Sequence, residues 1–165
     1  MTIEIPPSGT RGVSNRVVRM FPLFSPLSVW MYRRRGGDPS GRAGLLLTTV
    51  GARSGRERTV ALGKFTDDGG RLLVVASFAG AARHPAWFIN LARNPDEVWV
   101  EIGHDRFKVR PELLRGEERA AAWRRIVAAA PGYGRYEQKT DREIPIVRLT
   151  PKGDADSQRM TEASD

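Results

Sequence analysis

The sequence predicts a mainly β domain with α (α+β class), a mostly antiparallel barrel of about six strands with helices packed outside. Three observations carry this expectation. Short β-rich runs recur between turn signals at hairpin spacing. Only two stretches show helical periodicity, and neither a G-x-G-x-x-G nor a G-x-x-x-x-G-K-[ST] element points to a Rossmann or P-loop sheet.

The elements follow in chain order. Ala43 to Val50 is apolar almost throughout, as a buried strand is. After a glycine-bracketed turn, Thr59 to Phe65 reads as its hairpin partner. Asp67-Asp-Gly-Gly70 is a strong turn signal, and Arg71 to Ser77 follows as a third strand whose lack of alternation predicts a central position. Phe78 to Arg83 is a small-residue loop. His84-Pro85 opens a short helix with Pro85 at the tolerated first position; Trp87, Phe88 and Leu91 form its apolar face, and Asn94-Pro95 ends it. Glu97–Ile102 and Arg106–Arg110 alternate with period two about a Gly103-His-Asp105 turn, so each has a wet face. Glu117 and Glu118 start a longer helix with dipole-compatible charge. Ala120, Trp123, Ile126, Val127 and Ala130 fall on one stripe before Pro131-Gly132 stops it. A short Tyr133–Tyr136 segment leads to a last strand, Ile144–Leu149. The domain therefore spans residues 43–150, between an arm of residues 1–42 and a polar tail, 151–165, that reads as disordered.

At 165 residues the chain suits one domain with a real core, and its 40% apolar and 28% charged residues are ordinary for a globular protein. It has no cysteine, which excludes disulfides, thiol nucleophiles and cysteine metal sites. With only two histidines, His84 and His104, no metal is expected. His104 sits in a turn and reads as solvated. Trp87, Trp99 and Trp123 fall on apolar faces and read as core, and Arg115, Arg119, Arg124 and Arg125 as a solvated helix face.

A net charge of +8 raises nucleic acid and membrane as partners. The arm holds seven arginines against Glu4 and Asp38, and it is also oily. Its uncharged run, Met20 to Tyr32, is 13 residues long and interrupted by Pro22 and Pro26. A bilayer span needs roughly 20. Arg33-Arg34-Arg35 and two glycines follow in place of a signal-peptide cleavage site. Either residues 11–35 lie on an anionic membrane surface, or the arm packs on its own domain or on a dimer mate. No nucleic-acid motif is present, so no nucleic-acid partner is expected.

Chemistry concentrates in the turn Gly51-Ala-Arg-Ser-Gly-Arg-Glu-Arg58. Two glycines bracket an Arg-Ser pair and Arg58 lies on the outgoing strand, so backbone N–H groups and guanidinium forks can converge on a phosphate or carboxylate. The plainer reading is a charged hairpin loop. Two further patches follow in order: Ser77 to Leu91, containing Ser77-Phe-Ala-Gly80 and His84-Pro-Ala-Trp-Phe-Ile-Asn90, and Pro131 to Pro145, containing Pro131-Gly-Tyr-Gly-Arg-Tyr136. Together the three patches closely resemble the deazaflavin-dependent nitroreductase family, the coenzyme F420-dependent quinone reductases, over roughly Gly41 to Pro151.

The resemblance implies a split β-barrel and a set of roles. Arg53, Ser54 and Gly55, with Arg58, match the turn that holds the coenzyme phosphate and acidic tail. Ser77, Ala79 and Gly80 match the loop beside the deazaflavin ring, and His84, Trp87 and Asn90 the helix that frames the site. Tyr133 and Tyr136 match aromatic positions over the substrate pocket, where a phenol could hydrogen-bond or protonate the acceptor; with Ser77 they form the catalytic set. Otherwise the tyrosines are solvent-facing loop aromatics and His84 a packing residue. One departure is Ala130, where a further aromatic is frequent before the Pro-Gly; it removes a wall or a hydroxyl from the pocket.

The leading expectation is an enzyme transferring hydride from reduced coenzyme F420 to a quinone-like, nitroaromatic or other conjugated small molecule. An FMN-dependent split-barrel oxidoreductase and a non-catalytic deazaflavin carrier are the alternatives. A homodimer and a cytoplasmic location, with peripheral contact to the cytoplasmic membrane face, complete the expectation.

Overall fold

The computed structural model describes residues 2–18, 26–37 and 44–153, with residues 158 and 162. The expectations for Met20 to Ser25, and for most of the tail beyond Gly153, lie outside the described residues. Two helices come first, α1 (Asn15–Val18) and α2 (Pro26–Arg35). Strands β1 (Leu45–Val50), β2 (Glu57–Leu62), β3 (Phe65–Thr66) and β4 (Leu72–Val75) follow. After a 3-10 turn at Phe78–Gly80 come α3 (Ala86–Arg93), β5 (Val98–Ile102), β6 (Asp105–Leu113), α4 (Gly116–Ala129), α5 (Gly132–Lys139) and β7 (Ile146–Pro151).

The described strands form one sheet in the order β2-β1-β5-β6-β7-β4-β3, antiparallel at every pairing. Strand β6 holds it together. Its first half pairs β5, with Val100 opposite Phe107, and its second half pairs β7, with Val109 opposite Pro151. The sheet thus curls into a half-barrel around Leu45, Leu47, Val74, Val100, Phe107 and Leu149, and α3 plugs it with Trp87, Phe88 and Leu91. Strands β1 and β4 are covered on their outer faces as well. Val29 and Tyr32 of α2 pack on Leu46 and Ala61, and Trp123 and Ile126 of α4 pack with Leu73, Val75 and Ile146. Burial on both faces explains why these strands lack alternation.

Six expectations change. There are seven described strands, because β3 adds two residues beyond the Gly63-Lys64 break in the predicted hairpin partner. Strand β4 is not central. It lies between β7 and the two-residue β3, and its apolar run reports a helix behind it. The Tyr133–Tyr136 segment is a helix, α5, that starts directly after α4. Trp99 points away from the core, under Arg106 and Lys108, with ring-to-cation distances of 5.3 and 5.1 Å. Arg119 also departs from a solvated face: it donates to the Ile144 carbonyl at 2.8 Å. Pro151, placed in the tail, ends β7.

The described arm packs on its own domain. Ile3 donates its amide to Ala92 O at 3.1 Å, Gly9 to Ala82 O at 2.8 Å and Val13 to Gly80 O at 3.0 Å. Arg33 of α2 forks onto Glu101 with bonds of 3.0 and 2.7 Å. No described helix is long and apolar enough to cross a membrane.

Candidate active site

The cationic turn is held by its own backbone. Gly55 adopts φ 64°, which glycine accepts without strain, and donates to Gly51 O at 2.9 Å, while Gly51 donates to Arg56 O at 2.8 Å. A Cβ on Gly51 would lie 2.5 Å from Ser54 Oγ and would have to displace that hydroxyl. Helix α3 then fixes the turn to the barrel. Asn90 Oδ1 accepts the Ala52 amide at 3.0 Å, and Asn94 Nδ2 donates to Val50 O at 3.1 Å. Arg53, Arg56 and Arg58 are all exposed, and their side chains make no ion pair or hydrogen bond among the described residues. Nearby Glu57 is engaged by Arg106 at 3.5 Å. Three unneutralised guanidinium groups around one rigid turn are a ready site for an anion.

The small-residue loop lies at the other end of α3. Phe78, Ala79 and Gly80 have φ of 44°, 51° and 79°, three consecutive left-handed residues of which two are not glycine. Such a conformation costs roughly 1–2 kcal/mol per non-glycine residue and clusters at functional sites. Ser77, Phe78 and Ala79 remain half-exposed.

What holds that loop is a residue to which the sequence drew no attention. Arg142 is 5% exposed, and its guanidinium donates to three carbonyls: Ala81 O at 2.7 Å, Ala76 O at 3.0 Å and Ser77 O at 2.7 Å. Its Nη1 lies 3.4 Å from His84 Nδ1. Burial lowers its pKa to about 10, so it remains charged at neutral pH. An arginine between Asp141 and Glu143 reads as surface charge, and no spacing in the sequence marks it otherwise.

Two expected site residues turn inward. His84 is buried and its Nε2 lies 2.8 Å from Pro6 O. Burial, with the Arg142 charge alongside, holds its imidazole below the ordinary value, so the ring is neutral, donating from Nε2 and accepting at Nδ1. Trp87 is also buried, in the barrel core. Asn90 and the arginine turn come together, as do Ser77, Ala79 and Gly80 with α5. A Cβ on Gly80 would lie 2.8 Å from Tyr136 O, so the loop and α5 meet backbone to backbone.

Tyr133 and Tyr136 stack edge to face at 5.5 Å, and Tyr133 meets Phe65 at 5.2 Å. Their rings pack against the α4 core while both residues stay half-exposed. Burial, with Tyr136 alongside, raises the Tyr133 pKa, keeping it a proton donor. Ala130, which caps α4, accepts the Tyr133 amide at 3.1 Å. A groove between Thr2–Glu4 and Arg110–Arg115 lies on the arm and gathers none of these residues.

A family model described as F420H(2)-dependent quinone reductase matches residues 25–151. The chain is 38% identical over 122 residues to an F420H(2)-dependent quinone reductase of Mycobacterium tuberculosis (strain ATCC 25618 / H37Rv), covering 72% of this chain and 78% of the relative. A solved F420-H2 dependent reductase superposes with a TM-score of 0.56 at 39% identity, over 64% of this chain and 91% of that one. A second structure, described as a domain-swapped dimer, gives the same score and identity over 64% and 78%.

Proposed function

The chain belongs to the F420H(2)-dependent quinone reductase family, and from that premise we propose that it transfers hydride from reduced coenzyme F420 to a quinone-like or other conjugated acceptor. As a member of that family it is an oxidoreductase, and coenzyme F420 is its cofactor. The observation that carries the site assignment is the pair of features at the two ends of α3: a rigid turn with three unneutralised arginines, and a strained loop of small residues.

These residues fit the coenzyme's chemistry. Arg53 and Arg58, with Ser54 and the amides near Gly55, would hold its phosphate and acidic tail. Charge-assisted bonds contribute about 1.5–3 kcal/mol each, so a pair of them falls short of the roughly 8 kcal/mol of micromolar affinity. Burial of the flat ring along Ser77, Ala79 and Gly80 supplies much of the rest. Asn90 holds the turn, while Trp87 and His84 support the site from behind. When bound, the coenzyme supplies the hydride. An acceptor oxygen gains negative charge as hydride arrives. The phenols of Tyr133 and Tyr136 are suited to donate a hydrogen bond to it, then a proton. The Ser77 hydroxyl, without a protein partner among the described residues, is a further donor at the ring. Ala130 leaves that side of the pocket open, which suits a bulky quinone better than a small nitroaromatic.

The domain-swapped relative supports assembly as a homodimer. The exposed Leu27 and Trp30 on α2, beside Arg33, Arg34 and Arg35, support a peripheral contact with an anionic cytoplasmic membrane face. Sedimentation with anionic against zwitterionic vesicles tests that contact, and a membrane role is excluded if the two give equal, negligible binding.

The site itself is tested by fluorescence titration of coenzyme F420 against Arg53→Ala/Arg58→Ala. Loss of two charge-assisted bonds weakens binding about 100-fold or more. Unchanged affinity removes the turn from the site. A panel of quinones and nitroaromatics, followed by loss of the reduced coenzyme, identifies the acceptor.

A further inference from the structure

We propose that Arg142 is a positioning residue for this site, its buried guanidinium holding the Ser77–Gly80 loop in the left-handed conformation along which the coenzyme ring lies. The proposal rests on the reading of that loop as the ring's bed.

The contrast with Arg148 carries the point. Both arginines are buried, at 5% and 4% exposure. Arg148 is neutralised three times over, by Asp67 at 3.0 Å, Glu112 at 3.0 Å and Glu118. Such an arginine belongs to the architecture, tying β7 to the β3–β4 turn, β6 and α4. Arg142 has no carboxylate partner among the described residues. Its neighbour Asp141 points the other way, accepting the Thr10 and Arg11 amides at 2.9 Å each. Burying an unpaired cation costs several kcal/mol, and a core gains nothing from it that an apolar side chain would not give. Four donor sites are nevertheless spent on one target: three carbonyls that bracket the left-handed turn, and the imidazole of His84 just beyond it.

The geometry explains the expenditure. Ala76 and Ser77 enter the turn and Ala81 leaves it, and all three carbonyls converge on one planar group. That convergence pins both ends of the turn to one group, with Phe78, Ala79 and Gly80 held at positive φ between them. The turn's own bonds, Gly80 to Ser77 O and Ala81 to Phe78 O at 2.9 Å each, close it but do not orient it. A lysine can carry the charge, but its single nitrogen cannot present a planar fork to separated carbonyls.

The test combines Arg142→Lys, Arg142→Ala and, as an architectural control, Arg148→Lys. For each, coenzyme F420 affinity is measured by fluorescence, amide hydrogen exchange at residues 77–81 by mass spectrometry, and thermal midpoint by circular dichroism. Arg142→Lys is expected to fold, to exchange faster at 77–81, and to bind the coenzyme at least about tenfold more weakly. Arg148→Lys should lower the midpoint while leaving affinity and loop exchange unchanged. Ethylguanidinium, but not ethylammonium, should restore affinity to Arg142→Ala; if that variant does not fold, Arg142→Lys alone decides. Wild-type affinity and loop exchange in Arg142→Lys overturn the proposal. Exchange and binding also separate two failures. A loop that loosens without loss of affinity leaves Arg142 as its clamp and removes the loop from the coenzyme site. Absence of coenzyme binding by the wild-type protein removes the functional reading itself.

Discussion

Tyr133 differs from an ordinary surface phenol in being wedged between Phe65 and Tyr136, with its ring against the α4 core. The wedge fixes where its hydroxyl can point, and burial keeps that hydroxyl protonated. Removing the oxygen alone leaves the ring contacts intact. Tyr133→Phe/Tyr136→Phe should therefore fold normally and bind coenzyme F420 within about twofold of wild type. Turnover should drop on the order of 100-fold, the scale of a lost proton donor. Stopped-flow loss of the reduced coenzyme measures this. Unaltered rates with several acceptors would take the phenols out of the chemistry. At this scale the sequence was partly legible. The arginine turn and both tyrosines were marked by the company they keep. Arg142 was not, because burial of a charged residue leaves no trace in a one-dimensional pattern when its partners are carbonyls from residues 76–81.

Among elements, α3 does the joining. Trp87, Phe88 and Leu91 anchor one face in the barrel, and Asn90 and Asn94 on its edge hold the end of β1 and the turn beyond it. If the turn binds the acidic tail only because it is rigid, Asn90 matters without touching the ligand. Asn90→Ala should cost about 0.5–1.5 kcal/mol of stability, the usual loss for one hydrogen bond, and weaken coenzyme binding a few-fold. Asn90→Asp keeps the acceptor for the Ala52 amide, yet sets a negative charge beside the anion site. It should keep its stability and still lose affinity, increasingly so at low salt. Denaturant melts and titrations at two ionic strengths separate these outcomes; equal affinity in both variants would mean the turn needs no brace. Helices α3 and α4 were legible because an apolar stripe runs between clear start and stop signals. Helix α5 was hidden by Pro131-Gly132, which reads as the stop of α4, and by Gly134, which costs about 1 kcal/mol of helix propensity. Tertiary contacts make it: Tyr133 and Tyr136 pack on the core, and Glu137 accepts the Trp123 indole at 2.9 Å. The third strand was misplaced for a related reason, since an apolar run reports burial on both faces and cannot say which neighbour does the burying.

For the whole molecule, the curled sheet was foreseeable from hairpin spacing and turn chemistry, whereas the course of the arm was not. Its basic and oily composition fits a membrane surface as well as a protein surface, and only the docked geometry of residues 2–18 separates the two for that stretch. Those residues precede the 25–151 span matched by the family, yet they reach the candidate site. Gly9 to Val13 run beside Gly80 to Ala82, bridging Val13 to Ala81 in parallel. Gly12 permits this approach, because a Cβ there would collide with the Ala82 nitrogen and lie 2.7 Å from Gly80 O. Asp141 supplies the latch. Its carboxylate accepts the Thr10 hydroxyl at 2.6 Å together with the Thr10 and Arg11 amides, and these bonds hold its pKa at about 2. A carboxyl whose folded value is depressed stabilises the docked state above its unfolded value, near 4, and loses that contribution as pH falls through 2. The arm should therefore come loose between about pH 4 and pH 2, with barrel amides such as Val100 still protected. Gly12→Ala should release it at neutral pH, and with it relax the Gly80 loop and weaken coenzyme binding several-fold. Amide exchange at Thr10, Arg11 and Val13, followed by NMR down the pH range, reads the latch directly. Protection of those amides that persists at pH 2, or a Gly12→Ala variant whose arm stays docked, would show that Asp141 and the close backbone approach are not what holds the arm to the site.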